Sequence, residues 1–277
     1  MEPVVSDLHQ FRVAFRYQLR SYLRTWRFVA LLLFVGIVAA AILGVQLDRG
    51  VATVTANNPT ASAYLSGYLG TVTDAIIVVG AFLGGDALAV DLSGGPGYLM
   101  LSQPVRRSSL LAGRFLAATV TGVAIGLVYY LFAAAASQYF YGTIPSAILL
   151  SLGLAFLFLL AVLAVAFFFS SFFRNPTVSI VAAILILLIG FPILTSIGTL
   201  TGSEPWYSLD YGSQAITSVL SPNLTHEATT HLGVRARGIT LYAFTPYPWE
   251  GAIIMAVYLV AFLTASYVAY RFKEVRG

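Results

Sequence analysis

The sequence predicts an all-α polytopic membrane protein. It reads as six transmembrane helices, an N-terminal amphipathic elbow helix, a short cytoplasmic helix between spans 2 and 3, and an external cap between spans 5 and 6. Three observations carry this reading. First, hydrophobic residues make up 58% of the 277 and charged residues only 9%, against roughly a quarter charged in a soluble domain. A globule so poor in charge cannot cover itself with polar groups, and lipid is the solvent that suits it. Second, the stretches 28–46, 69–91, 113–136, 147–169, 178–198 and 250–270 are apolar and long enough to span a hydrocarbon core, which takes roughly 20 residues of helix. Runs such as Ala147 to Phe169 do not alternate in polarity, which excludes the strands of a barrel. Third, the basic residues are segregated. With both termini cytoplasmic, twelve lie inside, and only Arg49, Arg235 and Arg237 lie outside. That is the positive-inside pattern of a multi-pass protein of the cell membrane with an even number of spans.

Residues 1–27 form the elbow, and 28–277 a single transmembrane domain. Arg12, Arg16, Arg20 and Arg24 recur every four residues, while Phe11, Phe15, Leu19, Tyr22 and Trp26 recur at threes and fours. Two such stripes on one helix predict an in-plane segment, its apolar face in the acyl boundary and its arginines toward anionic headgroups. The first span is preceded by too long and too basic a segment for a cleaved signal peptide, so it is read as a retained helix.

The second span holds the acidic residues. Asp74, Asp86 and Asp91 lie in or beside it. Carboxylates are costly in lipid, so each is either one half of a charge pair near the interface or part of an ion path. Asp74 and Asp86 lie roughly 18 Å apart along a helix, toward opposite ends. Between spans 2 and 3 the chain reads Gly97-Tyr98-Leu99-Met100-Leu101-Ser102-Gln103-Pro104-Val105-Arg106-Arg107: a short helix, a proline break and a basic pair before the return to the membrane. Ser108 or Ser109 is a candidate cap for the third helix.

Pro192 interrupts the fifth span and should kink it. The cap, 199–249, carries Pro205, Pro222, Pro246 and Pro248 as breakers, with Asp210 a candidate N-cap of a short helix reaching about Leu220. Tyr139, Phe140 and Tyr141, and Trp206, Tyr207, Tyr247 and Trp249, form aromatic belts. Asn223-Leu224-Thr225 is a glycosylation sequon on the external side.

Several function classes drop out. There is no cysteine, so no thiolate nucleophile or cysteine metal site. The histidines are His9, His226 and His231, none of them in a span, which removes the base of an intramembrane serine protease. His226 and His231 are five apart, about 140° around a helix, so they do not form a zincin face, and the sequence places no metal ligand. Lys273 is the single lysine and no Walker A loop surrounds it, so the chain is not its own ATPase. The arginines sit at helix ends rather than in one patch, which argues against nucleic acid.

The stretch Gly84-Gly85-Asp86-Ala87-Leu88-Ala89-Val90-Asp91, with Gly97-Tyr98-Leu99, Gln103-Pro104-Val105-Arg106-Arg107 and Ala112-Gly113-Arg114-Phe115, resembles the permease subunits of ABC-2 type (type V) transporters. There an acidic residue closes span 2, and a coupling helix ends in a Leu-Leu-x-x-Pro-Val-x-Arg pattern. Many members carry Glu with Gly-Thr-x-Glu in this loop, where this chain has Asp91 and Ser93-Gly94-Gly95-Pro96-Gly97.

The resemblance implies a dimer with a second permease copy or paralogue, and two ABC ATP-binding subunits on separate chains. ATP and Mg would belong to those partners and no cofactor to this chain. It further implies that Gly97, Tyr98, Leu99, Leu101, Pro104, Val105, Arg106 and Arg107 contact the ATPase, and that the cargo is exported. The alternative is a carrier driven by an ion gradient through the second-span aspartates.

Overall fold

The computed structural model describes residues 7–92, 107–221, 224–232 and 239–272. Helix α1 (Asp7–Arg24) is followed by α2 (Trp26–Arg49), α3 (Val51–Asn57), α4 (Ala61–Tyr68), α5 (Val72–Gly84), the short α6 (Ala89–Leu92), α7 (Arg107–Tyr141) and α8 (Ala147–Phe172). Then come α9 (Pro176–Leu185), α10 (Phe191–Thr201), α11 (Leu209–Ser213), α12 (Ala215–Ser218), a hairpin of β1 (Glu227–Leu232) and β2 (Ile239–Phe244), and α13 (Pro248–Phe272). Among the described residues, six helical segments are long and apolar enough to cross a membrane: Trp26–Arg49, Ala61–Gly84, Arg107–Tyr141, Ala147–Phe172, Pro176–Thr201 and Pro248–Arg271.

Helix α8 is the centre of the bundle. Ala161 to Phe167 are all completely buried, so this helix is apolar on every side, as one surrounded by other helices must be. It packs against α5, α9 and α13. Gly80 and Gly84 make the α5 approach possible. A Cβ at Gly80 would meet Val162 Cγ1 at 2.5 Å, and one at Gly84 would meet Ala166 Cβ at 2.8 Å. Small residues one turn apart are how helices come close where there is no water to drive them together. Helices α2 and α13 flank the bundle and expose Leu33, Phe34, Ile37, Ile253, Val257 and Val260.

The second span lies earlier than expected. It runs over Ala61–Gly84 rather than 69–91, because α4 joins α5 through one tight turn at Leu69–Thr71 and the helix stops at Gly84-Gly85. The tyrosines make that turn tolerable. Tyr129 donates its hydroxyl to Tyr68 O at 3.0 Å and sits 2.7 Å from Thr71 Oγ1, while Tyr68 donates to Ala39 O at 2.7 Å. In a bilayer, backbone groups freed by a break must find partners inside the protein.

The third helix begins at Arg107, ahead of the expected 113. The fifth span is interrupted where Pro192 demanded it. A π-helical turn over Ile186–Gly190 precedes Phe191-Pro192 and absorbs the missing N–H.

The cap contains structure that periodicity did not disclose. β1 and β2 pair antiparallel, with Glu227 opposite Phe244 and Leu232 opposite Ile239. Ser208, not Asp210, is the N-cap of α11, and Asp210 lies in its first turn.

Candidate functional site

At the end of the bundle that carries α1, five elements converge on the interruption after Gly84. The helix ends there because Gly85 is pressed against its surroundings: a Cβ would meet Ala81 O at 2.6 Å and Ile180 Cγ1 at 2.8 Å. The chain then turns through Asp86, Ala87 and Leu88 before α6. That turn frees backbone groups, and side chains from α1, α7 and α8 take them up.

Tyr22 of α1 donates to Leu83 O at 2.6 Å. Arg114 of α7 donates to Ala87 O at 2.6 Å. Ser170 Oγ of α8 accepts from Leu88 N at 2.8 Å and from Ala89 N at 2.9 Å. Arg27, at the start of α2, pairs with the carboxylate of Asp86. Asp86 and Arg114 are both buried. Burial pushes the Asp86 carboxyl above the usual carboxylate range, while Arg27 and Arg114 pull it back part of the way. Burial likewise pushes the Tyr22 hydroxyl up, so it stays a protonated donor.

Beside this junction lies a cavity of about 290 Å³, lined by Gln18, Tyr22, Arg27, Leu83, Asp86 and Arg114 among others. It opens between the elbow and the spans.

The elbow itself differs in one respect from the expectation. Its arginines, Arg12, Arg16, Arg20 and Arg24, form an exposed stripe. Its other face rests on protein: Gly113 of α7 lies so close that a Cβ would meet Ala14 Cβ at 2.9 Å and Phe11 O at 3.0 Å. Phe15 and Leu19 join the hydrophobic core through this contact. Phe15, Leu19 and Tyr22 of the apolar stripe therefore dock the elbow on the bundle, while Trp26 of the same stripe is exposed.

Of the residues read as an ATPase contact, Gly97, Tyr98, Leu99, Leu101, Pro104, Val105 and Arg106 lie outside the described residues, as does the side chain of Asp91. Arg107 is described, and it reaches across the bundle. Its guanidinium donates to Tyr270 O and Arg271 O, each at 2.9 Å, and lies 5.8 Å from the centre of the Tyr270 ring. A cation on the last carbonyls of α13 satisfies groups that the helix leaves open and complements its dipole. The two ends of the 93–106 stretch thus leave from anchored points, α6 behind the Ser170 contacts and α7 through Arg107.

At the opposite end, Asp74 and Asp210 line one small cavity with Phe191 and Pro192. Burial pushes the Asp210 carboxyl up, and hydrogen bonds from Thr195 and Gln214 hold it back. In the cap, His226 is gathered with Glu204 and Glu250, their ligand atoms all within 4.8 Å of one another. Spacing in the chain gave no sign of this, because the three come from three separate segments.

A family model described as "ABC-2 family transporter protein" matches residues 15–275. A comparison with curated proteins found no match.

Proposed function

The chain belongs to the ABC-2 transporter family, and from that premise we propose that it is the membrane permease of an ATP-driven exporter. Pairing with an ATP-binding subunit follows from the family in general. The finer reading is ours: two such subunits per complex, each carrying ATP and Mg, and a second permease copy or paralogue. The chain itself carries no catalysis. In this reading the α1 end faces the cytoplasm of a cell whose plasma membrane the protein spans, and the cap faces outward, in keeping with the distribution of basic residues.

The observation that carries the proposal is the junction around Asp86. The described elements that flank the segment resembling a coupling helix are themselves held: the Asp86 turn before α6 by α1, α2 and α8, and Arg107 at the start of α7 by α13. In our reading, force from a docked ATPase passes into the bundle through these contacts. ATP can drive transport only if its binding favours one arrangement of the permease over another. A polar junction with side-chain partners from several helices is an element able to hold two arrangements, since its bonds can be exchanged without opening the apolar core.

The test is affinity purification of the tagged chain from native membranes in mild detergent. A near-stoichiometric soluble protein bearing Walker A and LSGGQ motifs is expected. A clean preparation without one, repeated after crosslinking, would overturn the reading. It would turn attention to the ion-gradient carrier, which the shared cavity of Asp74 and Asp210 favours and which predicts transport that collapses with the gradient.

A further inference from the structure

We propose that Glu204, His226 and Glu250 form a binding site for a first-row divalent cation, zinc above all, that staples the cap together. Glu204 lies between α10 and α11, His226 just before β1, and Glu250 in the first turn of α13. Their ligand atoms all fall within 4.8 Å of one another, and His226 Nε2 is 3.6 Å from Glu204 Oε1. Ligands about 2.0–2.1 Å from a tetrahedral zinc stand about 3.4 Å apart. One pair is already near that spacing, and the rest close with a shift of at most about 1.4 Å.

The histidine is set up as a ligand. Its Nδ1 is 2.9 Å from Thr245 O. A carbonyl only accepts, so Nδ1 is the donor in that contact and Nε2 is the nitrogen turned toward the carboxylates. The ring is fixed by stacking on Tyr247, with centroids 4.7 Å apart. The carboxylates are oriented too: Tyr211 donates to Glu204 Oε1 at 2.5 Å, and Tyr247 N donates to Glu250 Oε2 at 2.8 Å. Backing of this kind is what metal-binding histidines and carboxylates receive in proteins.

Charge is the second argument. Glu250 is only 5% exposed, and Glu204 lies within ligand distance of it. Among the described residues no arginine or lysine pairs with either. Two carboxylates so placed repel each other and lose hydration, and one divalent cation between them offsets both. The helix-capping contact of Glu250 and the tyrosine contact of Glu204 account for each carboxylate singly, but not for their convergence on one imidazole nitrogen. A nitrogen donor with two oxygens favours zinc over calcium or magnesium, which take oxygen ligands. Three protein ligands leave a fourth position for water.

The experiment uses the full chain purified in detergent with whatever partners accompany it, stripped with EDTA and dialysed. Zn²⁺ is then titrated, with Ca²⁺ as the control, and bound metal is measured by mass spectrometry alongside the thermal midpoint. The expected result is one zinc per chain, a midpoint that rises with zinc and not with calcium, and at least tenfold weaker binding in His226→Gln. Tyr211→Phe, which leaves all three ligands in place, should weaken binding about tenfold. Zinc below one per chain in the wild type, or an equal response to calcium, overturns the site. So does unchanged zinc affinity in His226→Gln and Tyr211→Phe proteins that elute as the wild type does. In those cases the contact of His226 with Glu204 is an ion pair only.

Discussion

The Arg27–Asp86 pair gives the sharpest test of the junction, because its two members have unequal alternatives. The Asp86 side chain is 11% exposed and that of Arg27 62%. In Asp86→Asn, Arg27 turns to water and Arg114 keeps its hydrogen bond to Ala87 O, so the loss is small, about 1 kcal/mol. In Arg27→Gln the carboxylate stays where it is. A buried charge deprived of its partner costs about 3–5 kcal/mol. Two features reduce that cost here. Arg114 remains close, and the carboxyl, already pushed up by burial, can take a proton. We therefore expect about 2–3 kcal/mol for Arg27→Gln, which corresponds to a thermal midpoint lower by about 4–12 °C for a chain of this size.

The double variant is the informative one. Once Asp86 is Asn, nothing buried needs the guanidinium, so the double variant should resemble Asp86→Asn alone. The second change thus rescues the first. The assay is the midpoint of heat-induced loss of the monodisperse peak in size-exclusion chromatography, run on all four proteins in one detergent. If Asp86→Asn proves more damaging than Arg27→Gln, or the double variant worse than both, the asymmetry argument fails, and with it the placement of Arg27 as the exposed member.

Other outcomes follow from the same geometry. Arg107→Ala removes two hydrogen bonds to the last carbonyls of α13 and should lower stability by about 1–2 kcal/mol, read as faster proteolysis at the C-terminus. Under the proposed function, Arg106→Glu with Arg107→Glu should weaken ATPase docking or uncouple hydrolysis beyond what Arg107→Ala does alone. ATPase rates equal to those of Arg107→Ala would remove 97–107 from the coupling role. Gly84→Val should drive α5 and α8 apart, since even a Cβ meets Ala166 at 2.8 Å and Leu163 O at 3.3 Å; a loss of at least about 1–3 kcal/mol is expected from overpacking, seen as low yield of folded protein. Tyr22→Phe strands the Leu83 carbonyl and should cost about 1–2 kcal/mol, with a thermal midpoint correspondingly lower.

Much of the architecture was readable because lipid imposes a simple demand. A span must be apolar over its full length and close its own backbone hydrogen bonds, so counting apolar stretches found all six. The interruption before Pro192 was readable for a similarly local reason, the missing N–H. The start of the second span was not. Ala61 to Tyr68 is only moderately apolar, with Ser62, Ser66 and two tyrosines, and it is held in the bundle by hydroxyls that find carbonyls such as Ala39 O on other helices. The hairpin of the cap was missed because Glu227–Leu232 and Ile239–Phe244 are short and carry little alternation.

The candidate site divides along the same line. Asp86 drew notice from the sequence because an acidic residue beside a span is expensive. The arginine stripe of the elbow was legible from its period of four. Residue types and their period therefore determine that this chain enters a membrane, how often it crosses, and which charges will need partners. The choice of partners is another matter. Arg27 lies 59 positions from Asp86, Ser170 lies 82 from the Leu88 amide it accepts from, and Arg107 lies 163 from Tyr270. Glu204, His226 and Glu250 meet from three segments with no shared spacing. Burial turns a tolerable solvated charge or a free amide into a group that must be satisfied. Which group satisfies it depends on which helices lie alongside, and that is decided by packing around α8, where glycines at positions 80 and 84 admit α5 and nothing bulkier.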